Sequence, residues 1–123
     1  QGITQLTRDQ SWVAEQVRAG VLTEDQARNH PWRHMVTQAV GAQPRLEPDT
    51  FTYPIHGGES LMLCSDGLWQ QVDGVEIGKI IRSHEPGAAA KALVELANQR
   101  GGPDNITVLI VKIEVARKGG VPL

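Results

Sequence analysis

The 123-residue sequence predicts a single α+β domain, and three observations carry that prediction. Two stretches, Ser60–Ser65 throughout and Ile106–Val115 at its middle, are apolar on both faces, as buried strands are. Between them lie two helical stripes, Ile77, Ile80 and Ile81 followed by Ala90, Leu93, Val94 and Ala97. Forty per cent of residues are hydrophobic and 21% charged, a composition that closes a small core rather than a disordered tail.

The elements follow in order. Thr7-Arg8-Asp9-Gln10 has capping-box spacing and predicts a helix through about Ala19, with Val13 and Val17 one turn apart and Gly20 as the stop. Thr23-Glu24-Asp25-Gln26 repeats the signal, and Pro31 ends the second helix near Asn29. Residues 8–30 thus read as a polar helical hairpin. A short strand is predicted over Val36–Val40. Thr50–Ile55, alternating Phe51, Tyr53 and Ile55 with polar residues and Pro54, predicts a half-buried strand near an edge. Gly57-Gly58 makes a turn into Ser60–Ser65, a central buried strand. Asp73 with Glu76 opens the next helix, and Pro86 starts the one after it, which Gly101-Gly102 ends. The long β-branched strand 106–115 follows. Beyond Ala116 the chain reads as a basic tail, with Arg117 and Lys118 solvated and 119–123 closing it.

A net charge of −2 leaves no basic footprint for nucleic acid and no polybasic membrane anchor. Aromatic residues at 4% are too few for a base-stacking platform. The apolar runs are too short to span a bilayer, and the single cysteine, Cys64, fits a reducing cytoplasm. Cys64 is expected to be an inert buried thiol, for no base sits beside it. Ser60 and Ser65 show no histidine partner and no Gly-x-Ser-x-Gly elbow. His30 and His34 are separated by Pro31, which spoils a helical metal pair. They, His56 and His84 are expected to be surface or structural groups.

Chemistry points instead to two strand ends. Leu63-Cys64-Ser65-Asp66-Gly67-Leu68-Trp69 places an acid where one buried strand stops. Gly101-Gly102-Pro103-Asp104-Asn105-Ile106-Thr107 places another where the next begins. If the strands are antiparallel neighbours, Asp66 and Asp104 share one end of the sheet. Two hard oxygen ligands there would suit Mg²⁺ or Mn²⁺. On spacing alone the turn reading is favoured over the metal reading, with each Asp accepting backbone hydrogen bonds.

The same segments, with Leu6-Thr7-Arg8-Asp9, Asn29-His30-Pro31-Trp32-Arg33 and Thr37-Gln38-Ala39-Val40-Gly41, resemble in order the C-terminal half of the metal-dependent type 2C (PPM) Ser/Thr protein phosphatases of bacteria. The resemblance implies half of a four-layer α-β-β-α sandwich with antiparallel sheets and covering helices, spanning residues 1–118. It implies that a water between two divalent ions attacks phosphoserine or phosphothreonine directly, in a complete domain holding two or three Mg²⁺ or Mn²⁺ ions. Asp66 and Asp104 would ligate one ion, with Gly67 and Asn105 in support, Asn105 orienting the Asp104 loop. The Ser11–Asn29 hairpin resembles the family's flap. Gln10 stands where members commonly carry His, and the phosphate-contacting Arg and the bridging Asp of an Asp-Gly-x-Gly-Gly segment have no counterpart here. The implied partners are phosphorylated proteins, a cognate Ser/Thr kinase and the missing N-terminal half. The lone chain is expected to be inactive and, with strand edges bare, to self-associate. A non-catalytic regulatory or scaffolding module built on this half-fold is the alternative.

Overall fold

The computed structural model describes residues 2–116; the expected basic tail at Arg117, Lys118 and 119–123 lies outside the described residues. The chain divides into two compact units, Gln5–Thr52 and the residues on either side of it.

In the first unit, α1 (Trp12–Arg18) starts later than Thr7 predicts, and Ser11 is its cap, accepting from Ala14 N at 3.2 Å. The reason is a tertiary one. The amide of Thr37 donates to Gln10 O and that of Trp12 to Met35 O, around a bridge between Ser11 and Val36. Those bonds hold Ser11 extended, so the Thr7 capping signal is overridden. The same bridge is all that remains of the strand expected over Val36–Val40. α2 (Glu24–Arg28) carries the capping box read from sequence, with Thr23 and Gln26 each bonding the other's backbone N–H. His30 packs against the rings of Trp12 and Trp32, 5.0 and 5.8 Å away, and its Nδ1 accepts from Trp32 N.

The second unit holds β1 (Ser60–Cys64), α3 (Asp66–Trp69), α4 (Gly74–Ser83), α5 (Pro86–Gln99) and β2 (Val108–Lys112). β1 and β2 form a two-stranded antiparallel sheet in which Cys64 faces Val108 and Ser60 faces Lys112. The architecture is α+β, as expected. α4 begins with the Asp73–Glu76 capping box, and α5 has Pro86 in its first turn. α5 buries Ala89, Leu93 and Ala97, so the stripe runs one residue away from the expected Ala90 and Val94, which are half-buried. Leu68, Val72, Ile77, Leu93 and Ala97 form the core, with Met62, Val108 and Ile110 packed onto it from one face of the sheet.

The strands depart from expectation. β2 is five residues, shorter than 106–115, and Thr50–Ile55 forms no strand, because among the described residues no neighbouring strand supplies a ladder for its backbone. β1 is not buried on both faces. Alternation places Leu61, Leu63, Leu109 and Val111 on the side away from the helices, and Leu63 is 62% exposed. Both strands are apolar as expected, but their outer face is exposed rather than buried.

Arg100, just past α5, grips Glu76 with both guanidinium ends, at 2.6 and 2.8 Å, and donates to Gln71 O. The hydrogen bond from Arg100 leads the effects that lower the Glu76 carboxyl from 4.5 to about 2. A depressed folded-state value stabilises the fold fully above the ordinary carboxylate range, and that stabilisation fades as pH falls toward about 2. Glu76→Gln is therefore expected to lower the urea midpoint at neutral pH, with the gap to wild type closing at pH 2. A gap of constant size would show that the pair contributes through packing alone.

Candidate metal centre

Because β1 and β2 are antiparallel, the C-terminal end of one and the N-terminal end of the other lie together. The pairing continues one step past the ladder, where Ser65 N donates to Thr107 O at 3.0 Å. Asp66 follows at once as the first residue of α3, and Asp104 stands three residues before Thr107. The sheet thus carries the two acids expected to meet onto adjoining segments, and both are exposed.

Gly67 shows how closely those segments approach. It is buried, and a Cβ built on it would run into the carbonyl oxygen of Asn105 and lie 3.1 Å from Ile106 Cγ1. Only glycine lets the Asp104–Asn105 backbone cross there. Asp104 Oδ1 accepts from the very next amide, Asn105 N, at 2.7 Å, a local bond that ties the carboxylate to its own loop. That bond is the turn chemistry the sequence also allows, and it leaves Oδ2 as a second oxygen on the same group. Asn105 contributes its backbone at this crossing: its carbonyl accepts from Ser65 Oγ at 3.1 Å. The Ser65 hydroxyl is a feature sequence reasoning passed over, since only its lack of a histidine partner was weighed.

Two carboxylates on adjoining rigid segments are the donor type hard divalent cations take. Among the described residues no group of three or more His, Cys, Asp or Glu side chains is poised for a metal, and Asp66 and Asp104 are two such donors on adjoining segments. Cys64 is exposed rather than buried as expected, because it sits where the sheet ends. Desolvation first, and the Asp66 charge second, push its thiol up, so it stays protonated and is a poor ligand or nucleophile. Elsewhere, His84 Nδ1 meets Ile80 O at 2.9 Å beyond the end of α4, and His56 lies 3.7 Å from Glu59. Asp9 accepts from Gln5 at 2.9 Å within the other unit.

Comparison with known proteins gives a consistent answer. No family model matches the chain. The serine/threonine phosphatase Stp of Listeria monocytogenes is 38% identical over 118 residues, 95% of this chain and 47% of that protein. The Streptococcus agalactiae serine/threonine phosphatase structure superposes with a TM-score of 0.84 at 38% identity, covering 89% of this chain and 46% of its own. The catalytic domain of the phosphatase PstP, in complex with 2 manganese ions, matches with a TM-score of 0.74 at 32% identity over 87% of this chain and 44% of its own. The chain spans about half the length of the relatives it matches. In sequence and in fold it is similar to about half the length of bacterial serine/threonine phosphatases of the 2C (PPM) type.

Proposed function

We propose that this chain is the C-terminal half of a metal-dependent protein phosphatase domain and supplies it with the carboxylate pair Asp66 and Asp104. The observation that carries the reading is the crossing of the two acid-bearing segments at Gly67. Mg²⁺ or Mn²⁺ held by such a pair, in a domain with two or three ions, would supply a lowered pKa for a bound water and charge neutralisation at phosphoryl oxygens. The residues of this chain do the holding. Asp66 is aimed by the start of α3, Asp104 by its bond to Asn105, and Gly67 keeps the two segments in contact. The reaction is hydrolysis of phosphoserine and phosphothreonine in proteins phosphorylated by a Ser/Thr kinase, in a cytoplasmic setting. Among the described residues no helix is long and apolar enough to cross a membrane.

The bare sheet face supports the larger architecture. Leu63, Leu109 and Val111 are 62, 52 and 42% exposed, an apolar surface of the kind a second layer covers. In this reading the other half of the domain packs there as the opposing sheet of a four-layer sandwich.

The chain alone should therefore leave p-nitrophenyl phosphate untouched in Mn²⁺, at the level of an Asp66→Ala/Asp104→Ala control. Joined to the part of the Listeria phosphatase outside the match, it should hydrolyse a phosphothreonine peptide with Mn²⁺, and Asp66→Asn or Asp104→Asn should abolish that activity. Turnover by the chain alone, or a joined protein that is folded yet inactive, would count against the reading.

A further inference from the structure

Ser65 occupies the N-cap position of α3, where a serine ordinarily bonds the exposed amides of its own helix. Here its side chain makes no cap bond. The hydroxyl instead reaches across the sheet end, donating to Asn105 O at 3.1 Å and accepting from Thr107 N at 3.0 Å. With Ser65 N bonded to Thr107 O, one residue makes three hydrogen bonds to the opposite segment.

The placement of those bonds matters more than their number. The carbonyl of Asn105 is held by Ser65, and the amide of Asn105 is held by Asp104 Oδ1 at 2.7 Å. Ser65 is covalently next to Asp66. A short chain of contacts thus runs from Asp66 through Ser65 and Asn105 to the Asp104 carboxylate, without passing through the core.

We propose that Ser65 is a positioning residue of the cation site, its hydroxyl fixing the spacing between Asp66 and Asp104. The inference rests on the proposed metal site and names a residue that acts through the two ligands rather than on the ion. Groups that hydrogen-bond a metal ligand directly typically change metal affinity by about 10- to 100-fold when removed, and Ser65, one backbone group further out, is expected at the lower end.

The test uses the 123-residue chain as wild type, Ser65→Ala and Ile77→Val. The last variant lowers core stability without touching the sheet end, since Ile77 is fully buried among the helices. Mn²⁺ affinity is read from paramagnetic broadening of the amide signals of Asp66 and Asp104. Amide exchange of Thr107 is followed in EDTA. Ser65→Ala is expected to weaken Mn²⁺ by roughly tenfold or more and to speed Thr107 exchange relative to Val108. Ile77→Val should bind Mn²⁺ within about twofold of wild type. If wild type binds saturably and Ser65→Ala binds as tightly, the positioning role is overturned while the site stands. If both variants lose affinity equally, Ser65 acts only through stability, and the proposal again falls. If wild type shows no saturable broadening at either amide, the metal site itself fails and this inference with it.

Discussion

Leu93→Ala is expected to unfold the unit that carries the acids. Leu93 is fully buried, at the centre of the α5 stripe and in contact with the Leu68, Val72 and Ile77 cluster. Removing a buried leucine side chain costs about 2–5 kcal/mol, the lost transfer energy plus the cavity left behind. A core this small supplies only about 3–5 kcal/mol of net stability, so the substitution consumes most of it. Val75→Ala is the control, because Val75 lies on the exposed side of α4 at 65% exposure and should move stability by no more than about 0.5 kcal/mol. Urea unfolding followed by far-UV circular dichroism should show no folded baseline for Leu93→Ala and a near-native midpoint for Val75→Ala. Similar midpoints for the two would mean the core has been placed wrongly.

Gly67→Ala should be nearly as damaging, for a different reason. The added methyl group meets backbone, the carbonyl of Asn105, which has no rotamer in which to move aside. Overpacking of this kind costs about 1–3 kcal/mol, and here the cheapest relief is to push the Asp104–Asn105 loop off the sheet end. Stability and Mn²⁺ response should fall together. Gly87→Ala, in the first turn of α5 with nothing within 4 Å of the new Cβ, should be neutral or slightly stabilising. Melting curves of both variants with and without Mn²⁺ decide the matter. A Gly67→Ala protein that keeps its melting temperature and its metal response would show that the two segments do not cross as described.

What could be read from sequence follows a physical division. Asp73 with Glu76, Thr23 with Gln26, and Pro86 act on amides three or four residues away, and each helix they announce is present. The two strands were legible from their apolar residues, and their antiparallel pairing put Asp66 and Asp104 at one sheet end as foreseen. Where a distant segment decides the outcome, local reading failed. Thr7 lost the cap to Ser11 because Val36 bridges there, and Thr50–Ile55 is no strand because a strand needs a neighbour. The exposure of Cys64 and the reach of the Ser65 hydroxyl to Asn105 likewise depend on where the sheet ends. The outer face of β1 and β2 is apolar yet exposed at Leu63, Leu109 and Val111, so its pattern could be read from sequence but its burial could not.

The central claim is that Asp66 and Asp104 hold one cation between them. Its most direct measurement is thermal unfolding in millimolar Mn²⁺ against EDTA at matched ionic strength, for wild type, Asp66→Asn, Asp104→Asn and the double variant. If the two carboxylates face one another they repel until an ion joins them, and at tenfold excess over Kd the ion adds about 1.4 kcal/mol, roughly 5–10 °C in melting temperature for a domain of this size. The account predicts that rise in wild type, its loss in either single variant, and metal-free variants no less stable than metal-free wild type. If Mn²⁺ leaves wild type unmoved, while both Asn variants are destabilised in EDTA by amounts that simply add, the two aspartates are turn caps and the metal site does not exist.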